Sequence, residues 1–259
     1  MNNTINSPIL SGVEGRGLGG MRIALIGYGK MGKTIEAIAL QRGHTVDLKI
    51  DIETLACFTK ANLQQTDVVI EFTGPHSAKE NILKSLDAGI PVVSGSTGWL
   101  ANWAEVENAC KEKNGSFLYA SNFSVGVNIF FELNKKLAQL MNGQKDYSVT
   151  MEEIHHTEKK DAPSGTAITL AEQIMQEVTT KKNWVNNETE NPEELSIISK
   201  REDPAPGTHS IKYRSTIDDI EITHTAHSRQ GFALGAVLAA EFVYNKKGIF
   251  SMKDVLGIS

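Results

Sequence analysis

The chain has 259 residues, 40% of them hydrophobic, enough apolar material for one large domain or two ordinary ones. Its 26 Lys and Arg against 31 Asp and Glu leave a formal net charge of -5, so no basic excess points to nucleic acid or to an anionic membrane. The two cysteines, Cys57 and Cys110, are far apart, which speaks against a disulfide framework or a zinc cluster and fits a reducing cytoplasm.

Residues 1–20 are rich in Gly, Asn and Ser and lack the charged start and apolar stretch of a secretory signal, so a disordered leader or tag is expected there. No later segment offers the roughly eighteen apolar residues of a membrane span. From Met21 to about Ala120, short apolar runs at 23–26, 46–50, 68–72, 91–94 and 117–119 alternate with amphipathic segments at 30–41, 77–87 and 100–113. That alternation predicts a parallel sheet wrapped by helices, a doubly wound α/β unit, with Gly43 and Gly89 as helix stops. The second half reads differently. A long amphipathic helix is expected over 125–141, a strand over 147–155, a polar loop, a helix over 166–178 and a further loop over 180–194. Alternating segments at 195–199, 209–213 and 221–226 predict a mixed or antiparallel sheet. A final apolar helix over 232–244 has a wide face to bury and is expected to pack back on the first unit.

The segment IALIGYGKMGKTIEAIAL places Gly27, Gly29 and Gly32 in a G-x-G-x-x-G pattern after a strand and at the mouth of a helix, with Tyr28, Lys30 and Met31 between them. The first glycine permits a tight turn, the second a close approach to a pyrophosphate, and the third close helix–sheet packing, while the helix N-terminus offers free amides. Asp51 ends the second strand nineteen residues past Gly32, where a carboxylate accepts from the adenosine ribose; it equally suits capping of a helix over 52–58. Two loops at carboxyl ends of later strands are further candidate cofactor contacts, through Phe72 and Thr73 and through Gly95, Ser96 and Thr97.

The stretch EEIHHTEKKDAPSGTAITLAE, residues 152–172, sets two histidines just ahead of Lys159 and Lys160. Histidine titrates near neutrality and suits general acid–base work, lysine holds a carboxylate, and Ser164-Gly165-Thr166 opens a helix whose amides can cradle an anion. A histidine pair alone is more often structural.

The string HHTEKKDAPSGTA resembles the signature of the 4-hydroxy-tetrahydrodipicolinate reductase family, H-H-x-x-K-x-D-A-P-S-G-T-A, at every fixed position. GYGKMG, GSTGW, SNFSVGVN and EITHTAHSRQGFALGAV, with His227-Ser228-Arg229, resemble other family segments in the same order over roughly residues 21–250. The resemblance implies a Rossmann-like dinucleotide-binding domain from 21–122 plus 232–259. It implies an α+β substrate-binding and oligomerisation domain over 123–231, built on an open mixed sheet, and a homotetramer. It carries over His155 as proton donor and Lys159 as second catalytic cation, with His156, Gly165 and Thr166 touching the substrate. Ala120, Ser121, Asn122 and Phe123 match a segment that reaches the cofactor. NADH and/or NADPH, a small dicarboxylate substrate and no metal are implied. The reaction would place hydride on C4 and a proton from His155 on C3 of the dehydrated cyclic imine. Thr157 and Glu158 stand where many members have Arg and His, leaving less positive charge near the substrate. Ile52, rather than arginine, follows Asp51, which predicts NADH used at least as well as NADPH. Two rival readings are an aspartate- or homoserine-dehydrogenase-like enzyme, which the DAPSGT loop opposes, and a non-catalytic NAD-binding regulator, which His155 with Lys159 opposes.

Overall fold

In the computed structural model, residues 20–258 are described; the expected leader, apart from Gly20, lies outside them. The chain enters with β1 (Arg22–Ile26), four of whose five residues are buried, turns through Gly27, and starts α1 (Lys30–Gln41) with Gly29 as the extended N-cap residue. Gly43 then adopts a φ of +87°, which ends that helix with little strain. β2 (Thr45–Ile50), α2 (Lys60–Leu63), β3 (Val68–Glu71), α3 (Ala78–Asp87), β4 (Val92–Ser94), α4 (Trp103–Glu112) and β5 (Ser116–Tyr119) follow.

β3 and β4 are buried at every residue because helices cover both faces of a parallel sheet. On one face Ile82 and Leu86 of α3 and Val106 and Cys110 of α4 pack on Ala24, Val69, Val92 and Phe117. The other face is shared by Ile35 and Ala39 of α1 with α7 (Gln230–Val243), whose Ala236, Val237 and Ala240 pack with Leu25, Ile70, Val93 and Leu118. The sheet is six-stranded in the order β11-β5-β4-β3-β1-β2, its last strand being β11 (Gly248–Phe250), parallel to β5. α8 (Met252–Leu256) follows, started by a capping box between Ser251 and Asp254.

Between β5 and α7 the chain builds a second sheet. α5 (Val125–Met141) and α6 (Gly165–Glu177), both N-capped by serine side chains, cover one face of it. The strands are β6 (Ser148–His155), β7 (Asn183–Val185), β8 (Glu194–Arg201), β9 (Gly207–Arg214) and β10 (Asp219–Ala226), in the order β10-β9-β6-β8-β7. The sheet is mixed: β6, β8 and β7 run parallel, while β9 is antiparallel to β6 and to β10. Its second face carries Thr150, Glu152, Ile198, Ser210, Lys212 and Glu221 along an open groove.

Three expectations are corrected. Residues 180–194 are not all loop, because Asn183–Val185 pairs with β8. The helix expected over 52–58 shrinks to a 3-10 turn at Leu55–Cys57: the Asp51 side chain accepts from the Glu53 and Thr54 amides as a cap does, but the amides of Cys57 and Phe58 then bond carbonyls three residues back rather than four. The helix over 100–113 divides into a 3-10 turn at Leu100–Asn102 and then α4. Among the described residues, no helix is long and apolar enough to cross a membrane.

Candidate active site

The glycines of the first loop have distinct surroundings. Gly27 has a φ of +94°, and a Cβ there would fall 2.0 Å from the carbonyl oxygen of Phe72; one at Gly32 would fall 2.4 Å from the oxygen of Gly27. At Gly29 a Cβ would meet nothing within 4 Å, so the missing side chain leaves open space against the first turn of α1. A bare backbone facing free helix amides is what a pyrophosphate requires, and the loop fits a dinucleotide.

Asp51 follows β2 directly. Its Oδ1 accepts from the amides of Glu53 and Thr54 at 2.9 and 3.2 Å, so one oxygen is spent on the local turn. Tyr28, inside the glycine loop, bonds Glu36, which also pairs with Lys49 at 2.5 Å. The loops after β3 and β4 share one fully buried carboxylate: Glu71 accepts from Ser94 at 2.6 Å, from Ser96 at 2.8 Å, and from the Thr73 amide at 3.0 Å. Gly95 is held against the Phe72 ring, where a Cβ would come within 2.2 Å, and Phe72 packs on Phe123 with centroids 5.5 Å apart. Ala120 adjoins the same core.

The two sheets meet over a cavity of about 760 Å³. Met31, Thr97, Ser121 and Asn122 line it from the first, and His155, His156, Lys159, Gly165 and Thr166 from the second. Asn122 Nδ2 reaches Thr166 Oγ1 at 3.4 Å across the junction. The remaining cofactor candidates, Gly27, Tyr28, Gly29, Lys30, Gly32, Asp51, Phe72, Thr73, Gly95, Ser96, Ala120 and Phe123, lie outside this cavity's lining. Gly27, Phe72 and Gly95 nonetheless adjoin one another along the carboxyl edge of the parallel sheet.

β6 explains how a polar site grows out of a core. Its inward face runs Val149, Met151, Glu153, His155, so the same alternation that buries two apolar residues brings a carboxylate and an imidazole to the cavity end. β9 repeats the pattern with Tyr213, Ile211, His209 and Gly207, and the register sets His209 opposite Glu153. His155 and His209 rings meet edge to face with centroids 5.1 Å apart. Burial, followed by the neighbouring His155, lowers His209 to about 4, so it is neutral near pH 7. Ser164 Oγ lies 3.1 Å from His209 Nε2 and also accepts from the Ala167 amide, capping α6. The amides of Gly165 and Thr166, in the first turn, have no intrahelical acceptor. Lys159 Nζ is 2.8 Å from both oxygens of Asp161, and its ammonium holds that carboxyl below its usual range.

Sequence reasoning missed Glu153, His209 and Arg201, and gave no role to Arg229 although it falls in a quoted segment. Glu153 stands at a core-facing position of a strand, a signal present in the alternation. His209 and Arg201 come to the site only through strand pairing. Arg229, just before α7, lines the cavity and adds a second positive side chain to that of Lys159. Glu153, His155 and His209 bring ligand-type atoms within 4.8 Å of one another, but Arg201 and the Ser164 amide already bond the carboxylate.

Residues 21–123 and 126–256 match the family models described as dihydrodipicolinate reductase, N-terminus and C-terminus. The 4-hydroxy-tetrahydrodipicolinate reductase of Christiangramia forsetii is 54% identical over 91% of this chain and 98% of its own length. That of Methanocaldococcus jannaschii is 35% identical over 91% of this chain and 81% of its own. Among solved structures, the dipicolinate-bound dihydrodipicolinate reductase from Paenisporosarcina sp. TG-14 shares the fold at a TM-score of 0.68 and 20% identity, covering 91% of this chain and 98% of that one. A cofactor-type parallel sheet, a histidine–lysine cavity at its edge and matches along nearly the whole described chain lead to one assignment: the chain belongs to the dihydrodipicolinate reductase family.

Proposed function

We propose that this chain reduces 4-hydroxy-tetrahydrodipicolinate to tetrahydrodipicolinate with a nicotinamide dinucleotide, as its relatives' names describe for them. The observation that carries the reading is the cavity in which Thr97, Ser121 and Asn122 face His155, Lys159, Gly165 and Thr166. The dinucleotide supplies a hydride when bound; Gly27, Gly29, Gly32 and the first turn of α1 would hold its phosphates, and Asp51 its ribose. Tyr28, Lys30, Met31, Phe72, Thr73, Gly95, Ser96, Thr97 and residues 120–123 would complete that site.

Lys159, His156 and the amides of Gly165 and Thr166 hold the substrate's carboxylates, so their contribution is orientation and charge. His155 gives a proton to C3 as hydride arrives at C4 of the dehydrated ring, which balances the reduction. Arg229 lines the same cavity and adds a second positive charge for the dicarboxylate. NADH is used at least as well as NADPH. The open face of the second sheet supports a homotetramer, with residues 123–231 as the substrate and assembly domain and 21–122 plus 232–259 as the dinucleotide domain. A steady-state assay with substrate generated in situ, following loss of the reduced nicotinamide absorbance, tests the reading. No turnover of that substrate by folded protein with either dinucleotide would sink it.

A further inference from the structure

Under the cavity floor, one carboxylate lies against His155, His209, Ser164 and Arg201. Glu153 is fully buried in β6, and the register sets it beside His209 of β9 and Ser199 of β8. Oε1 accepts from Arg201 Nη2 at 3.2 Å, and both oxygens lie 3.1 Å from the Ser164 amide. Oε2 stands 3.3 Å from His155 Nδ1 and 3.8 Å from His209 Nε2. Arg201 also bonds the carbonyls of Lys159 and Asp161, so the carboxylate and the lysine loop share one clamp.

Burial alone would push the Glu153 carboxyl toward its neutral form. The neighbouring His155 ring and Ser164, first among its partners, outweigh that and hold it well below the usual carboxylate range. An ionised carboxylate is an acceptor only, so it asks its neighbours for protons. His155 is 7% exposed, and its Nδ1 lacks an aligned hydrogen-bond partner although Oε2 is 3.3 Å away. A small turn of the ring completes that bond and removes a buried orphan. The other ring nitrogen faces Gly207, where a Cβ would lie 3.0 Å from Nε2, so the absent side chain keeps that edge clear beside the cavity.

We infer that Glu153 is the positioning residue of this site: it holds the proton of His155 on Nδ1 and thereby turns Nε2 toward the substrate as the atom through which protons pass. The inference rests on the reading of His155 as proton donor. Glu153 acts through the imidazole and touches no reacting atom. Its charge also offsets that of the imidazolium before the proton is given up. Lys159, Asp161 and His209 line the cavity with the ring and Arg201 bonds Glu153; of these only Asp161 is acidic, and it is paired with Lys159.

Nitrogen-15 NMR of histidine-labelled enzyme, with His155→Gln to assign the signal, reads the tautomer directly. The wild-type ring should carry its proton on Nδ1. In Glu153→Gln, whose amide can also donate, that preference should be lost; kcat should fall at least about tenfold with KM and dinucleotide affinity nearly unchanged. A wild-type neutral ring protonated on Nε2 overturns the proposal without any variant, so a poorly folding Glu153→Gln does not shelter it. A folded Glu153→Gln with wild-type kcat and tautomer overturns it as well. Full turnover in His155→Gln overturns the reading of the reaction and, with it, the kinetic half of this inference; the tautomer result then stands alone and tells the two failures apart.

Discussion

Lys49 of β2 reaches across to Glu36 of α1, with 2.5 Å between Nζ and Oε1, and lies 5.1 Å from the centre of the Tyr28 ring. On the proposal above, the pairing of Lys49 with Glu36 keeps it from a 2'-phosphate near the end of β2, and Asp51 at that end would repel one. NADH should therefore serve at least as well as NADPH. Asp51→Ala should move the ratio of specificity constants toward NADPH by about 5- to 150-fold, from roughly 1–3 kcal/mol of repulsion and lost hydrogen bonding. Glu36→Gln, which frees Lys49, should move it the same way. Specificity constants for both dinucleotides in the three proteins decide the matter, and a wild-type preference for NADPH above about tenfold would contradict the role given to Asp51.

His155 and Lys159 should separate in kinetics. His155→Gln removes a proton donor needed mainly in the transition state, so turnover should fall about 100- to 10,000-fold with a modest change in KM. Lys159→Ala should lower turnover and also raise KM, because a carboxylate partner disappears and Asp161 is left unpaired beside the substrate. Near-normal turnover in His155→Gln would move the proton to another donor.

Acid should destabilise the second sheet before the first. His209 is lowered by burial, and next by His155, from an ordinary 6.5 to about 4, so the unfolded chain takes up its proton first as pH falls. The associated stability is present above 6.5 and is lost progressively toward 4, on the order of 3 kcal/mol. Glu153, held below its usual range, adds a loss in the same direction below about 4.5. Denaturant midpoints measured from near pH 7 to near pH 5 should fall, and His209→Gln should flatten that slope. A wild-type midpoint independent of pH over this window would contradict the burial of a neutral His209.

The open groove on the second sheet should be covered by other copies of the chain. Light scattering at micromolar concentration should give a multiple of the chain mass, a tetramer by the proposal above. Ile198→Arg, which sets a charge in the groove, should shift the population to smaller species. A fully active wild-type monomer would rule the assembly out as a requirement.

The parts that were legible in the sequence are those written in local period and punctuation. The first α/β alternation showed because both-face burial makes β3 and β4 short apolar runs, each closed by one polar residue, Glu71 or Ser94, and the end of α1 coincides with the glycine stop at Gly43. β7 and β11 were not legible. Each has three residues, too few for a period, and neither is a fully buried run like β4, so each takes its identity from a neighbour, β8 or β5. The histidine–lysine loop stood out because its chemistry is contiguous. His209 and Arg201 did not, since their relation to Glu153 exists only in the pairing of β6 with β9 and β8. Asp51 had two readings, and its geometry leaves room for both: one oxygen serves the turn, as a capping role requires.

α7 and β11 come back to the first sheet only after the whole second sheet has been strung between them and β5. A chain emerging from the ribosome therefore makes five strands of the first sheet early and holds them with one flank bare. Ile70, Val93 and Leu118, which pack with α7 in the folded chain, lack that cover until residues 230–243 are made. The second sheet suffers no such delay, because its strands and both covering helices lie in one uninterrupted stretch. The order of synthesis thus favours a vectorial sequence in which the middle of the chain is finished first and the two ends then close around the nucleotide fold together. A released chain truncated just before Gln230 should be cleaved by protease within the first sheet and protected within the second.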